Sequence, residues 1–493
     1  MDPKVSEIDV GDITLSTQKQ TLQRSLFEQI REKILQGHWI SEAKLPSTRN
    51  MAIELKVSRN TVIQAYDQLV AEGYLIAKPK AGFFVAVALP DRFLSAHSSP
   101  AESMLGTSRA PSNGLFSPGI ADLSLFPDKQ WQRCLQRHAG RTSLLGNQDL
   151  QGLLTLRDAL ARYLSSSRSV ACSADQIIVT SGAQQSIAIA LLATQSENAH
   201  SLRHFLVERP GYRQVVKVLD LFSIAYDYVD ATAKDGLDLE AVLSKSASGI
   251  YLTPSNQYPM GYSLNTAQRL QLIEWAKKNE SWIIEDDYDS EFQFDSRPFS
   301  SMQGLAAKAD AAQQVIYIGS MSKVMFNALR VGYMVVPEHL VAKCLEIKDA
   351  LTGDTPSHIQ AGLADFIEEG SLVRHIRKMR RVYEDKCQAM TRAIEDHFSG
   401  DWSVISQAAG LHTTVQWHSG VDEEELSRRA NEIDIIVRPL CFYEPKEDKV
   451  TGKHISPRKQ GALVLGFGNA PMDDISPCIK QLSMLYYELL VAI

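Results

Sequence analysis

Residues 315–333 read VIYIGSMSKVMFNALRVGY. Val315, Ile316, Tyr317 and Ile318 are successive apolar side chains, the mark of a strand buried on both faces. The loop that comes next carries Lys323 beside the hydroxyls of Ser320 and Ser322, with Arg330 a little further on. A strand without a polar face belongs in a largely parallel sheet covered by helices, and open sheets of that kind bind ligands at the carboxyl ends of their strands. Lys323 therefore reads as a functional lysine at a strand end.

The same pattern recurs upstream. Ile177–Val179, Phe205–Val207, Ile250–Leu252 and Trp282–Ile284 are short apolar runs, separated by longer helical patterns such as Leu264 to Lys277. Together they predict an α/β domain with a mostly parallel central sheet over residues 114–493. Polar groups cluster at the expected strand ends. Asp286 and Tyr288 follow the strand Trp282–Glu285. Ser181-Gly182-Ala183-Gln184 ends another strand and opens a helix, whose first amides and positive dipole suit an anion. Tyr212 follows Pro210-Gly211. An imine-forming lysine, a carboxylate for a ring nitrogen, a phenol for a ring oxygen and a cradle for phosphate are the groups pyridoxal phosphate requires. Singly, such residues are more often solvated lysines, helix-capping acids and loop serines; their joint order carries the reading.

The first part of the chain has a different texture. Leu22, Leu26, Phe27, Ile30, Ile34 and Leu35 recur at helical spacing and stop at Gly37. Ser47 can cap a short helix bearing Met51, Ala52 and Leu55, and Ser58 a second that buries Val62, Ala65, Tyr66, Leu69 and Val70. That burial leaves Thr61, Gln64 and Gln68 on the opposite face. Gly73–Ile76 and Gly82–Val85, joined by Lys78-Pro79-Lys80, form a hairpin. Helix, helix, helix and hairpin make a winged helix-turn-helix, a reader of double-stranded DNA. Ser58, Arg59, Asn60 and Thr61 would meet the groove, while Arg49, Lys78 and Lys80 would meet phosphates. This unit spans residues 20–88, after a tail at 1–19. Residues 89–113, rich in Ser, Pro and Ala without periodicity, read as a linker.

Composition sets the outer bounds. The chain has 493 residues, 44% hydrophobic and 22% charged, with a net charge of -7. Residues 21–85 hold nine Lys/Arg against six Asp/Glu, which leaves -10 for the rest: a mildly basic head on an acidic body. No apolar run approaches the roughly 18 residues that span a bilayer. The polar, acidic start is unlike a signal peptide, so a cytoplasmic location is expected. Six cysteines without a C-x-x-C pair fit reduced thiols, with neither disulfides nor a metal site.

The head resembles the GntR superfamily of bacterial regulators through "KLPSTRNMAIELKVSRNTVIQAYDQLVAEGYL" and "KPKAGFFV". The resemblance implies that Arg49, Arg59, Thr61 and Gly82 lie at the DNA, with Asn60 and Thr61 as base readers. From Phe116 onward the chain is similar to fold-type I aminotransferases through "TSGAQQS", "ERPGYRQ", "TPSNQYPMG", "IEDDYDSEF", "GSMSKVMFNALRVGY" and "RHIRKMRRVYEDK". A GntR-like head on such a body resembles the MocR type of regulator. Members are described as domain-swapped head-to-tail homodimers that bind pyridoxal phosphate and sense an amino compound or the cofactor itself. By motif position, Lys323 would carry the imine, Asp286 face the ring nitrogen, Tyr288 the ring oxygen, Arg330 the phosphate and Tyr212 the ring face. Gly182, Ala183, Gln184, Ser320 and Ser322 would complete the cradle, and Asn256 lies in the motif that contacts the ring edge.

Two departures bear on function. Asn147 stands where the family pattern has a tyrosine that reaches a neighbouring subunit's phosphate. Gly461-Ala462 stand where the aminotransferases carry their carboxylate-binding arginine; Arg213 or Arg438 are the alternatives, although a surface arginine is the simpler reading of each. The expected function is thus a cofactor-dependent transcription regulator, a sensor rather than an enzyme, responding to an amine, an amino acid or pyridoxal phosphate. The alternatives are an active aminotransferase with an appended DNA-binding domain, and a body that has lost its cofactor and only dimerises.

Overall fold

The computed structural model describes residues 10, 13, 21–79, 81–86, 114–195, 204–294, 300–398, 400–445, 458 and 460–493. The chain forms two compact units, Met1–Arg109 and Ala110–Ile493. The expected linker and Lys80 lie outside the described residues.

The first unit contains helices α1 (Leu22–Leu35), α2 (Thr48–Glu54) and α3 (Arg59–Ala71) and strands β1 (Leu75–Lys78) and β2 (Gly82–Val85). A hydroxyl caps each helix: Thr21 accepts from the Arg24 amide, Ser47 from Asn50 and Ser58 from Thr61. Each such cap contributes about 1 kcal/mol. The apolar faces close around Leu26, Ile30, Met51, Val62, Tyr66 and Leu69. The Tyr66 hydroxyl donates to the Pro46 carbonyl at 3.0 Å and ties α3 to the turn before α2. Strand β1 begins at Leu75 rather than Gly73, because Gly73 (φ +81°) takes the left-handed conformation that ends α3. Lys78 is consequently paired with Gly82 at the end of an antiparallel ladder instead of lying in the turn. Val10 and Ile13, assigned from sequence to the polar tail, are buried in this core; two isolated apolar residues carry no periodicity to announce them.

The second unit is built on an eight-stranded sheet. Its strands are β3 (Ile177–Thr180), β4 (His204–Arg209), β5 (Ala225–Thr232), β6 (Gly236–Leu237), β7 (Gly249–Leu252), β8 (Trp282–Asp287), β9 (Val315–Ser320) and β10 (Gly332–Val335), in the order β3-β10-β9-β8-β7-β4-β5-β6. The pairs β9-β8-β7-β4-β5 are parallel, whereas β10 runs against both its neighbours and β6 returns against β5. A second, antiparallel sheet in the order β11-β12-β14-β13 comprises β11 (Ser403–Val404), β12 (His412–Trp417), β13 (Arg438–Pro439) and β14 (Gly461–Gly466). The helices Ser371–Phe398 and Met472–Val491 pack beside it.

Strand β8 sorts four acidic side chains between two environments. It extends through Asp287, beyond the expected end at Glu285, and its pleat sends alternate side chains to opposite faces. Asp287 accepts from Arg168 Nε at 2.7 Å and from the Tyr317 hydroxyl at 2.6 Å, and Arg168 also donates to Ser255 Oγ at 2.8 Å. Glu285, on the same face as Asp287, accepts from the amides of Met302 and Gln303 and lies near Arg269. Asp286 is left on the other face, and Asp289 lies in the turn beyond the strand end.

Both side chains of the Arg168–Asp287 pair are 1% exposed. Removing one partner strands a buried charge, which typically destabilises by about 3–5 kcal/mol. Arg168→Met is therefore expected to lower the denaturation midpoint of the second unit markedly in urea titrations monitored by tryptophan fluorescence. An unchanged midpoint contradicts the role given to this pair.

Candidate functional site

Strand ends converge on a cavity of about 280 Å³. Ser320, Ser322 and Lys323 enter from the end of β9, Arg330 from the turn into β10, and Asp286 and Tyr288 from the end of β8. Ala183 and Gln184 enter from the first turn of the helix Ala183–Ala193, and Tyr212 from the start of the helix Arg213–Leu221. Ser320 Oγ donates to Ser322 Oγ at 2.8 Å and accepts from the Ser322 amide at 3.2 Å, which fixes the loop that presents Lys323. Gly182 (φ +117°) precedes the helix Ala183–Ala193 without a side-chain cap, so the first amides of the helix remain available to an anion. A Cβ on Gly182 would lie 3.4 Å from the Arg330 guanidinium; glycine here lets that cation approach the helix start. Gly182 itself is not among the residues that line the cavity.

The polar groups are held in unequal states. The Lys323 amine donates to the Gly119 carbonyl. Burial lowers its pKa, opposed by the nearby carboxylates of Asp289 and Asp286. Asp286 Oδ2 accepts from the Tyr251 hydroxyl at 2.5 Å, whereas its Oδ1 is buried with no hydrogen-bond partner among the described residues. The Tyr288 hydroxyl is buried and partnerless in the same sense. Burial pushes the Asp286 carboxyl up to about 7, against the pull of Tyr251 and Lys323.

Asn256 departs from its expected place. It is buried but does not line the cavity, because its Nδ2 is committed to both oxygens of Asp289 at 3.1 Å. Asp289 takes the position on the wall. Asp289, Tyr258, His412 and Gly119 are cavity residues that the sequence did not single out. Asp289 stands in the IEDDYDSEF motif, one place past Tyr288, and that proximity was the available signal. His412 comes from β12 of the second sheet, where nothing local marks it.

The two departures also have local explanations. A Cβ on Gly461 would meet the Trp417 ring at 2.3 Å, and the Ala462 amide donates to Glu423 at 2.6 Å. No arginine fits at 461. Arg213 and Arg438 both rest on Phe442, 4.2 and 5.7 Å from its ring centre, and neither lines the cavity. Asn147 is exposed beside Leu145, which is 76% exposed.

In the first unit, Arg49 is exposed on α2, and Ser58, Arg59 and Asn60 are exposed where α3 begins. Ser58 Oγ lies 2.7 Å from Thr61 Oγ1, so the half-buried Thr61 hydroxyl is engaged by the cap and Asn60 presents the more open hydrogen-bonding group. Arg59 Nε reaches Thr48 Oγ1 at 3.5 Å, across to α2. On the hairpin, Gly82 (φ +106°) is exposed, and Lys78 Nζ lies 4.6 Å above the Phe84 ring.

Comparison with known proteins agrees with this division. Residues 22–85 match the family model of bacterial regulatory proteins of the gntR family, and residues 120–448 match that of aminotransferase class I and II. The chain is 35% identical to the probable rhizopine catabolism regulatory protein MocR of Rhizobium meliloti, across 95% of this chain and 94% of that one. It is 28% identical to the pyridoxine biosynthesis transcriptional regulator PdxR of Corynebacterium glutamicum, over 79% and 82% of the two chains. Among solved structures, the α-aminoadipate aminotransferase LysN of Thermus thermophilus, complexed with N-(5'-phosphopyridoxyl)-L-leucine, aligns with a TM-score of 0.67. That match has 22% identity and covers 77% of this chain and 93% of the other, so it establishes the fold alone.

The raised carboxyl of Asp286 has a thermodynamic signature. An unfolded aspartate titrates near 3.9, so between that value and about 7 the folded state binds the extra proton and stability falls as pH rises. The slope from one such group is at most about 1.4 kcal/mol per pH unit. Denaturation midpoints of the cofactor-free protein between pH 5 and 8 should fall more steeply for the wild type than for Asp286→Asn. Parallel curves contradict the assigned shift.

Proposed function

This chain belongs to the MocR type of transcription regulator, a GntR winged helix joined to an aminotransferase class I and II domain, and we propose that its cavity holds pyridoxal phosphate on Lys323 as a sensor. The observation that carries the cofactor reading is the pair of buried, partnerless atoms, Asp286 Oδ1 and the Tyr288 hydroxyl, in the same cavity as Lys323. Leaving such groups dry and unpaired costs about 1–3 kcal/mol each, and a ring bearing one N–H and one oxygen satisfies both.

Each residue of the cavity would have its own task. Asp286, with its free oxygen, would face the pyridine nitrogen and favour its protonated form. Tyr288 donates to the ring oxygen, and Tyr212 covers a ring face. Arg330, the hydroxyls of Ser320 and Ser322, and the free amides of Ala183 and Gln184 receive the phosphate. When bound, pyridoxal phosphate supplies an electrophilic carbonyl that exchanges between amines. Lys323 would be the residue that holds that carbonyl, and a site built this way would respond to an amino compound or to the cofactor's own concentration. The lack of an arginine at 461, where the Trp417 ring leaves no room, favours an amine or the cofactor over a conventional α-amino acid.

In the head, Arg49, Ser58, Arg59, Asn60 and Thr61 would contact operator DNA from α2 and α3, with Lys78 and Gly82 contacting it from the wing. A paired arrangement of heads in a domain-swapped homodimer follows from the family resemblance. A second reading, slow aminotransferase turnover, draws on the retained set of Lys323, Asp286, Tyr288 and Arg330.

The cofactor reading predicts that purified protein incubated with pyridoxal phosphate acquires a visible absorption band. Borohydride reduction should then fix one pyridoxyl group on the peptide containing Lys323, and Lys323→Ala should lose both signals. A band of equal strength in Lys323→Ala removes the assignment.

A further inference from the structure

The groups that would hold pyridoxal phosphate leave part of the cavity wall without a task, including Gly119, Tyr258, Asp289, Leu411 and His412. Among the described residues the cations on the wall are Lys323 and Arg330, and the cofactor reading already uses both. His412 is 2% exposed and opens strand β12, paired with Gly466 of β14. Its Nε2 lies 3.2 Å from the Pro259 carbonyl oxygen. A carbonyl can only accept, so Nε2 carries the hydrogen, and Nδ1 of the neutral ring is left as an acceptor. The Pro259 carbonyl also accepts from the hydroxyl of Thr414, two residues further along β12 and so on the same face of the strand. The carbonyl that sets the tautomer is thus itself held in place.

Among the described residues His412 Nδ1 has no hydrogen-bond partner. A second hydrogen at Nδ1 would therefore be buried without an acceptor, which disfavours the charged ring. Burial lowers the pKa of the imidazole to about 4, so near neutral pH the ring keeps a buried lone pair that the protein does not answer. The Tyr258 ring meets the imidazole edge-on, with 5.0 Å between centres and 68° between planes, and the two phenols of Tyr258 and Tyr443 engage each other at 2.8 Å. The other polar groups nearby present oxygen. The Gly119 carbonyl accepts from Lys323, and both oxygens of Asp289 accept from Asn256 Nδ2 at 3.1 Å. Gly410, two residues before His412, brings the start of β12 close to them: a Cβ there would sit 2.3 Å from both Asn256 Nδ2 and Asp289 Oδ2. A ligand carboxylate placed here would face oxygen atoms and a lone pair, with no cation to balance it.

We infer that His412 Nδ1 is a specificity contact for the effector, and that the effector is an amine carrying a second hydrogen-bond donor, an amino alcohol or a diamine, rather than an amine carrying a carboxylate. The inference rests on the cofactor reading of the cavity and deepens it. The amine end of such a ligand answers to the carbonyl that the cofactor supplies beside Lys323, and its second donor satisfies His412. A site built to receive a donor discriminates against an analogue that lacks one, because its own acceptor is then left unpaired.

The test uses the full-length protein loaded with pyridoxal phosphate and follows its visible band as four amines of matched length are titrated in: propanolamine, its O-methyl ether, propylamine and β-alanine. A hydrogen bond of ordinary net strength corresponds to roughly 2- to 10-fold in affinity. Propanolamine should bind more tightly than both the ether and propylamine by about that factor, and β-alanine should bind most weakly. In His412→Phe the advantage of propanolamine should vanish while propylamine binding is retained. His412→Asn, whose side-chain oxygen supplies an acceptor close to where Nδ1 stands, should keep part of the advantage. Equal affinity of the wild type for propanolamine and propylamine overturns the inference, and this result does not depend on any variant folding. A preference for β-alanine, or an advantage that persists undiminished in His412→Phe, overturns it too. If the wild type gives no band with pyridoxal phosphate, the cofactor reading fails and takes the inference with it; a band without preference among the amines rejects the inference alone.

Discussion

Strand β8 and the turn after it bury Glu285, Asp286, Asp287 and Asp289. Charges in such a place must be paired, bonded or protonated. The pleat gives two of them to one face, where Arg168, Arg269, Tyr317 and the amides of Met302 and Gln303 satisfy them. The structural acids are thereby separated from Asp286, which faces the cavity with one oxygen bonded to Tyr251 and the other unpaired. Everything proposed for the cavity depends on that separation. Were Asp286 drawn into the arginine network, the carboxylate left on the cavity wall would be Asp289, whose two oxygens are already engaged by Asn256.

The arrangement also explains which parts of the molecule were legible in the sequence. Strands buried on both faces announce themselves as apolar runs, so β3, β4, β7, β8 and β9 were readable, and with them the strand ends bearing Lys323, Asp286 and Tyr288. Ser47 and Ser58 were readable because a cap has a local cause. The antiparallel β10, the return strand β6 and most of the second sheet were not, since short strands such as Arg438–Pro439 exist only through their pairing with Val464 and Leu463. His412 entered the site by that tertiary route. Asn256, read as a ring contact, donates from Nδ2 to Asp289; the motif gave its neighbourhood but not that hydrogen-bond partner.

The absent arginine at 461 is likewise a packing outcome. With the Trp417 ring against Gly461, that position has no room for a side chain. The proposal that the cavity detects occupancy draws on this absence together with the retained Lys323, Asp286, Tyr288 and Arg330. The family's GntR head provides the output, and the chain passes from one unit to the other near residue 109. Sensing therefore requires that two states of the body differ in what they permit the heads to do, and the reach of that effect is bounded by the difference in ligand affinity between those states.

The central claim is that chemistry at Lys323 is coupled to the grip on DNA. It is tested most directly by measuring the affinity of wild-type protein and of Lys323→Ala for a DNA fragment selected from random sequence by the protein itself, with and without pyridoxal phosphate at fixed salt. Allosteric coupling energies of about 1–3 kcal/mol correspond to roughly 5- to 150-fold changes in affinity. The account predicts a change within that range for the wild type and none for Lys323→Ala. Equal affinity with and without pyridoxal phosphate in the wild type, or an equal response in the variant, contradicts it.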